Sequence, residues 1–280
     1  MKRIAIQGEI GSYHDVASHR YFEHEEVSLL CCDTFEQVFA SMKADTDVIG
    51  MIAIENTIAG SLLHNYELLR ESGMQIVGEH KLRISHSIMC LPDEDWDDIT
   101  EVNSHPVALM QCRDFLKRHP RLKVVETDDT AGAAKTISEN QLGGHAAICS
   151  KFVAGIYGMK LLEEGIETNK HNFTRFLVIA NPATAPQLTR HININKASIV
   201  FTLAHTEGQL SQVLSIFSFY QINLTKIQSL PIIGKEWEYM FYVDITFKDY
   251  QRYRQSIDAT RPLTTNLSIL GEYEDGKSTI

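Results

Sequence analysis

The residue types best suited to donor, acid or base chemistry fall in a few short stretches. Ile54-Glu55-Asn56-Thr57-Ile58-Ala59-Gly60-Ser61 follows Val48–Ile54, the most apolar run in the chain. Polar side chains at the C-terminal end of a parallel strand face the crevice where α/β sheets hold ligands. Glu55 could act there as an acid, a base or an orienter, or Asn56 and Thr57 could simply cap the next helix. Asn172-Phe173-Thr174-Arg175-Phe176 opens another strand. Arg175 offers a planar fork suited to a carboxylate, and Thr174 an uncharged hydroxyl donor. The plainer alternative is an edge-strand threonine beside a solvated arginine.

Strand-to-helix junctions supply the other candidates. Gly8-x-x-Gly11-Ser12 presents backbone N–H groups at a helix start, a seat for a carboxylate or phosphate, or a plain tight turn. It matches neither dinucleotide nor P-loop glycine spacing. Ser104-His105-Pro106 precedes a helix carrying Gln111, and Ser104 or His105 could cap it or meet a ligand. In Asp128-Asp129-Thr130-Ala131-Gly132-Ala133-Ala134, small residues permit close approach of a ligand to the backbone. Capping by Asp129 or Thr130 explains the same pattern. The 12 histidines include no H-E-x-x-H, and no G-x-S-x-G elbow occurs, so neither a metal site nor a serine nucleophile is expected.

The elements that must position these residues alternate. Strands are expected at Arg3–Gln7, Val27–Cys31, Val48–Ile54, Gln75–Leu82, Ser87–Leu91, Lys123–Glu126, Ala146–Ile148 and Phe176–Ala180. Helices are expected from Tyr13, after the cap Ser12, from Thr34 to Lys43 with a Thr-x-x-Gln capping box, at Val107–Arg118 and at Ala131–Glu139. Such alternation implies an α/β fold with mainly parallel pairing. Asn181-Pro182-Ala183-Thr184-Ala185-Pro186 reads as a linker. Beyond it the order of Ala197–Ala204, Gly208–Tyr220, Ile222–Leu230, Tyr239–Thr246, Tyr250–Ala259 and Asn266–Leu270 is βαββαβ, a ferredoxin-like unit.

A net charge of −10 argues against nucleic acid, because phosphate contacts need a basic surface. No run is apolar for the length of a membrane helix, and the short basic N-terminus suits a first strand better than a signal peptide. The 5 cysteines form no C-x-x-C pair, which fits a reducing cytoplasm.

In their order these motifs carry more than each does alone. Gly8–His14, Ile54–Ser61, Ser104–Cys112, Asp129–Ala134 and Asn172–Phe176 together resemble the prephenate dehydratases. Gly208–Leu210, Ile222–Ile227 and Trp237–Asp244 look like the ACT regulatory domain those enzymes carry. The resemblance implies a catalytic unit over residues 1–183 like a type II periplasmic binding protein, two α/β lobes around a cleft, and an ACT domain over residues 195–275. One lobe would hold roughly residues 1–76 with the last strand, the other roughly 77–170.

It also implies roles. Thr174, Glu55, Asn56, Ser104 and Gln111 would be catalytic. Arg175, Phe176, Thr57, Ser12, Thr130, Ala131 and Gly132 would bind substrate. Gly208, Gln209, Leu210, Ser211, Asn223, Leu224 and Ser229 would bind an effector, expected to be L-phenylalanine, between chains paired as a homodimer or homotetramer. The usual Gly-Ala-Leu reads Gly208-Gln209-Leu210 here, and the usual Glu-Ser-Arg-Pro reads Gln228-Ser229-Leu230-Pro231. The implied reaction takes prephenate to phenylpyruvate without metal or cofactor. Arogenate, its aminated counterpart, is an open alternative substrate, and a non-catalytic binding module is an open alternative function.

Overall fold

The computed structural model describes residues 1–232, 234, 238–276 and 278–279; Trp237, in the sensor-like segment, lies outside them. The chain forms two compact units. The first holds Met1–Leu68, His80–Leu177 and the chain end from Ser278; the second holds Leu69–Glu79 and the chain from Val178 up to that end.

In chain order the elements begin β1 (Lys2–Gln7), α1 (Tyr13–Tyr21), β2 (Val27–Cys32), α2 (Phe35–Ala44), β3 (Ile49–Asn56), β4 (Gly60–Ser61), α3 (Leu63–Ser72) and β5 (Gln75–Arg83). Next come β6 (His86–Cys90), β7 (Glu101–Ser104), α4 (Pro106–Gln111), α5 (Arg113–Arg118), β8 (Lys123–Glu126), α6 (Thr130–Glu139), β9 (His145–Ser150), α7 (Phe152–Tyr157), β10 (Lys160–Glu164) and β11 (Phe173–Ala180). The remainder is α8 (Ala185–Thr189), β12 (Lys196–Thr202), α9 (Gln209–Phe219), β13 (Asn223–Pro231), β14 (Tyr239–Thr246), α10 (Tyr250–Thr260), β15 (Thr265–Tyr273) and β16 (Ser278–Thr279).

The fold class is α/β, as expected. In the first unit β2, β1, β3 and β11 lie side by side, with β1 parallel to both β2 and β3. A second sheet has the order β10-β6-β9-β7-β8. Its β7 runs parallel to β8 and β9, while β6 and β10 pair antiparallel. Every residue of β3 except Glu55 is buried, which accounts for its continuous apolar run.

Two expectations need correction. The helix expected over Val107–Arg118 is broken at Cys112, which has φ −100° and ψ 16°. Leu109, Cys112 and Phe115 enter one core at a three-residue spacing. At the break the turn tightens, and the Cys112 N–H reaches Leu109 O as well as Ala108 O. The expected linker is partly helical: Pro186 sits in the first turn of α8, where its missing N–H costs nothing.

The second unit has the order β13-β14-β12-β15, antiparallel throughout, the ferredoxin-like arrangement expected. Phe201, Val213, Phe217, Tyr253 and Ile257 build its core between sheet and helices. Gly271 of β15 pairs with Ile76 of β5 so closely that a Cβ there would lie 2.2 Å from Ile76 O.

One ion pair in this unit is almost wholly buried. Lys196 Nζ donates to both Glu79 oxygens at 2.8 and 2.9 Å and to Asp275 at 3.0 Å. Removing one member strands a buried charge, which costs about 3–5 kcal/mol, whereas replacing both members with apolar residues costs far less. Lys196→Met is therefore expected to lower unfolding free energy by about that amount. Lys196→Met with Glu79→Leu should recover most of it. Urea titrations of both variants check this, and equal losses in the two would contradict it.

Candidate active site

Asn56 ends β3, and its side-chain orientation is decided by the backbone. Asn56 Oδ1 accepts the N–H groups of Ile58 and Ala59, each at 2.9 Å. Its Nδ2 must therefore face the other way, where it donates to Asn172 Oδ1 at 2.7 Å and Thr174 Oγ1 at 3.0 Å. The order then propagates. Asn172 Nδ2 donates to Gln111 Oε1 at 2.8 Å, and Gln111 Nε2 returns to Asn56 Oδ1 at 3.2 Å. Three buried amides thus close a ring whose direction is set by two backbone N–H groups. Because Thr174 Oγ1 accepts from Asn56, its own hydrogen is left to point elsewhere.

The ring also dictates a tautomer. Gln111 Oε1 lies 2.8 Å from His86 Nε2, so His86 carries its hydrogen there. Burial lowers the His86 pKa, against smaller opposing effects of Gln111 and Glu167, which favours the neutral ring. Its Nδ1 and Ser85 O are then two acceptors, 3.0 and 2.9 Å from the Tyr13 hydroxyl, and compete for its single hydrogen. Burial raises the Tyr13 pKa well above its ordinary value.

These groups face a cavity of about 240 Å³. Thr174, Asn56, Gln111, Phe176, Ser12 and Thr130 all line it, as do Tyr13, His14, His86 and His105. Among the described residues it has no Lys or Arg in its wall but two carboxylates, Asp128 and Asp129. Asp129 caps α6 through Gly132 N–H at 2.7 Å, and burial pushes its carboxyl up. The starts of α1 and α6 also open here, contributing partial positive charge. Gly11 turns into α1 at φ 90°, and a Cβ there would lie 2.9 Å from Val153 Cγ2, so glycine is required.

Several expected residues are not at the cavity wall. Thr174 faces the cavity and Arg175 does not; Asn56 faces it and Glu55 does not. Alternation along a strand sends neighbouring side chains to opposite faces, so neither adjacent pair can share a site. On the far face Arg175 Nε and Glu55 Oε1 pair at 2.7 Å. Ser104 is wholly buried and donates to Ile148 O at 2.5 Å; the neighbouring His105 caps α4 instead. Thr57 donates to His171 O at 3.1 Å, Ala131 is sealed in the core, and Gly132 lines a second cavity of about 670 Å³. Asn172, His86, Tyr13 and His14 join the site without having been singled out.

A family model described as prephenate dehydratase matches residues 4–184. The chain belongs to the prephenate dehydratase family. It is 35% identical over 97% of its length to arogenate dehydratase/prephenate dehydratase 6 of Arabidopsis thaliana, spanning 68% of that protein. A solved structure described as GqqA, a novel type of quorum-quenching acylase, matches with a TM-score of 0.85 at 27% identity, covering 98% of each chain. The prephenate dehydratase of Arthrobacter aurescens, solved in complex with L-Phe, matches in fold with a TM-score of 0.85 at 22% identity, covering 99% of this chain and 92% of that one.

The family match ends at residue 184, before β12 and before all of the expected effector residues. Gly208, at φ 78°, precedes α9, and Gln209, Leu210 and Ser211 form its first turn. Asn223 and Leu224 begin β13 beyond the other end of α9, about 16 Å away along the helix at 1.5 Å per residue. Asn223 lines a surface cavity of about 840 Å³ with Asn195, Lys248 and Arg252, and Ser229 lies exposed further along β13. One chain does not bring the two groups together.

Burial holds the His14 imidazole down to about 4. Its unfolded value is about 6.5, so the unfolded chain takes up a proton that the folded chain refuses. Stability from the neutral ring is complete above about pH 6.5 and is lost as pH falls towards 4, by about 3 kcal/mol. Urea unfolding between pH 7 and 4.5 should therefore show the wild type losing more stability than His14→Gln. Parallel curves would mean that His14 titrates normally in the fold.

Proposed function

We propose that the protein is a dehydratase that converts prephenate to phenylpyruvate, with Thr174 donating to the departing hydroxyl. In this reaction the bond from C1 to the ring carboxylate breaks, and its electron pair enters the ring. The C4–O bond breaks in turn, CO2 and hydroxide leave, and solvent protonates the hydroxide. Aromatisation drives the change, and the poor leaving group sets the barrier. The observation that carries the reading is the Thr174 hydroxyl, whose oxygen accepts from Asn56 and whose hydrogen is left for the cavity. Its acidity is too low for a true general acid, so it acts as a hydrogen-bond donor. In this reading Asn56, Gln111 and Asn172 orient Thr174, and Arg175 with Glu55 braces the strands behind it.

The absence of Lys and Arg from the described cavity wall suits a carboxylate that must depart as CO2, because a cation holding it would oppose its loss. The same wall favours a second reading. Asp128 and Asp129 suit an ammonium better than a dianion, and a 35% identical relative is named for arogenate as well as prephenate. Comparing kcat/KM on the two substrates separates these readings.

Purified protein is expected to form phenylpyruvate from prephenate, followed by absorbance. Thr174→Val should lower kcat by about 100- to 1,000-fold with little change in KM, and Thr174→Ser should be far milder. A Val variant of near-full activity would remove Thr174 from the chemistry.

The second unit is proposed to be an ACT-like sensor for L-phenylalanine. A ligand held by both the Gly208–Ser211 turn and Asn223 must draw them from two chains, because α9 keeps them apart in one. The effector would then sit in a homodimer or a larger homo-oligomer. L-Phe in the A. aurescens structure supports this reading. Binding should shift the assembly state as well as activity, by linkage. Calorimetry and sedimentation with L-phenylalanine check it; no heat and no inhibition at millimolar ligand would contradict it.

A further inference from the structure

His14 lies on α1 with its side chain more than nine-tenths buried, yet it lines the cavity. Its Nε2 accepts the Ala53 N–H at 3.2 Å, which places the ring hydrogen on Nδ1. The imidazole is held edge-on between Phe35, at 5.6 Å, and Phe176, at 5.1 Å. No hydrogen bond to the Nδ1–H is present among the described residues. His14 Nδ1 is not among the fully buried orphaned atoms, so its hydrogen is open to the cavity that the ring lines and is free to donate there.

We propose that His14 Nδ1–H is the donor that binds the ring carboxylate of the substrate; this rests on the dehydratase reading. Phe176 lies two residues beyond Thr174 on the same face of β11, about 7 Å along the strand. His14 packs against Phe176 and lines the same cavity as Thr174, so a six-membered ring seated beside Phe176 could meet both side chains. In prephenate the departing hydroxyl and the carbon bearing the carboxylate lie at opposite ends of such a ring. With the hydroxyl on Thr174, the carboxylate end faces His14. A neutral donor suits that place, because it binds the carboxylate without opposing its departure as a cation would. Burial keeps this ring neutral at working pH.

Two near-isosteric variants divide the ring's functions. His14→Gln keeps an acceptor near Nε2 for Ala53 but has no donor at Nδ1. His14→Asn places an amide N–H near Nδ1 and gives up the acceptor. The Gln variant should raise KM for prephenate and arogenate alike by about 10- to 100-fold, with kcat within about threefold. The Asn variant should keep KM near the wild-type value. Thermal melts establish that both are folded. An unchanged KM in the Gln variant, or an equal rise in both folded variants, would overturn the proposal. A loss confined to prephenate would also overturn it, since that would assign His14 to the side-chain keto oxygen. If the wild type turns over neither substrate, the dehydratase reading fails by itself. Calorimetry with prephenate then still tests His14: weaker binding in the Gln variant alone supports the contact, and equal binding in all three proteins refutes it.

Discussion

The two hydrogen bonds from the Ile58 and Ala59 N–H groups to Asn56 set the direction of the amide network at the cavity. A side-chain amide can usually be turned over with little penalty. Here, turning Asn56 over would set an NH2 group against two backbone N–H donors. With that amide oriented, Asn172, Gln111 and His86 each have one consistent arrangement, and the Thr174 oxygen becomes an acceptor. Such a closed, buried network is costly when half satisfied and rigid when complete. Such rigidity is what the role proposed for Thr174, a donor to a departing hydroxyl, would require.

The strands supply the second constraint. β3 and β11 lie side by side, and each sends alternate side chains to opposite faces. The cavity face receives Asn56, Thr174 and Phe176. The other face receives Glu55 and Arg175, which pair with each other. Arg175 is thereby paired through Nε with a neighbouring carboxylate on that face. The charge of the cavity wall is left to two aspartates, two helix starts and neutral donors.

Histidine behaves here as a neutral, directional group. His14 accepts from the backbone at Nε2, and His86 donates to Gln111 from Nε2, so the two rings hold opposite tautomers within one cavity. In both cases burial suppresses the charged form. The partners, not the residue type, decide which nitrogen carries the hydrogen.

Strand–helix alternation, the ferredoxin-like order of the second unit and the caps Ser12 and Thr34 follow from local patterns, and all were legible in the sequence. So was the placement of Asn56, Thr130 and Thr174 at or near strand ends and helix starts, which carry their own signatures. Which member of each stretch reaches the cavity was decided by the pleat, and a run of adjacent polar residues does not reveal its own phase. Asn172 and Tyr13 lie inside stretches the sequence pointed to but join the cavity network only through distant partners, and His86 lies in no such stretch. The break at Cys112 was not legible in the residue pattern, which an unbroken helix would also satisfy. Chain-local geometry was written in the residues; tautomers, amide directions and the facing of each side chain arose only when distant strands were laid side by side.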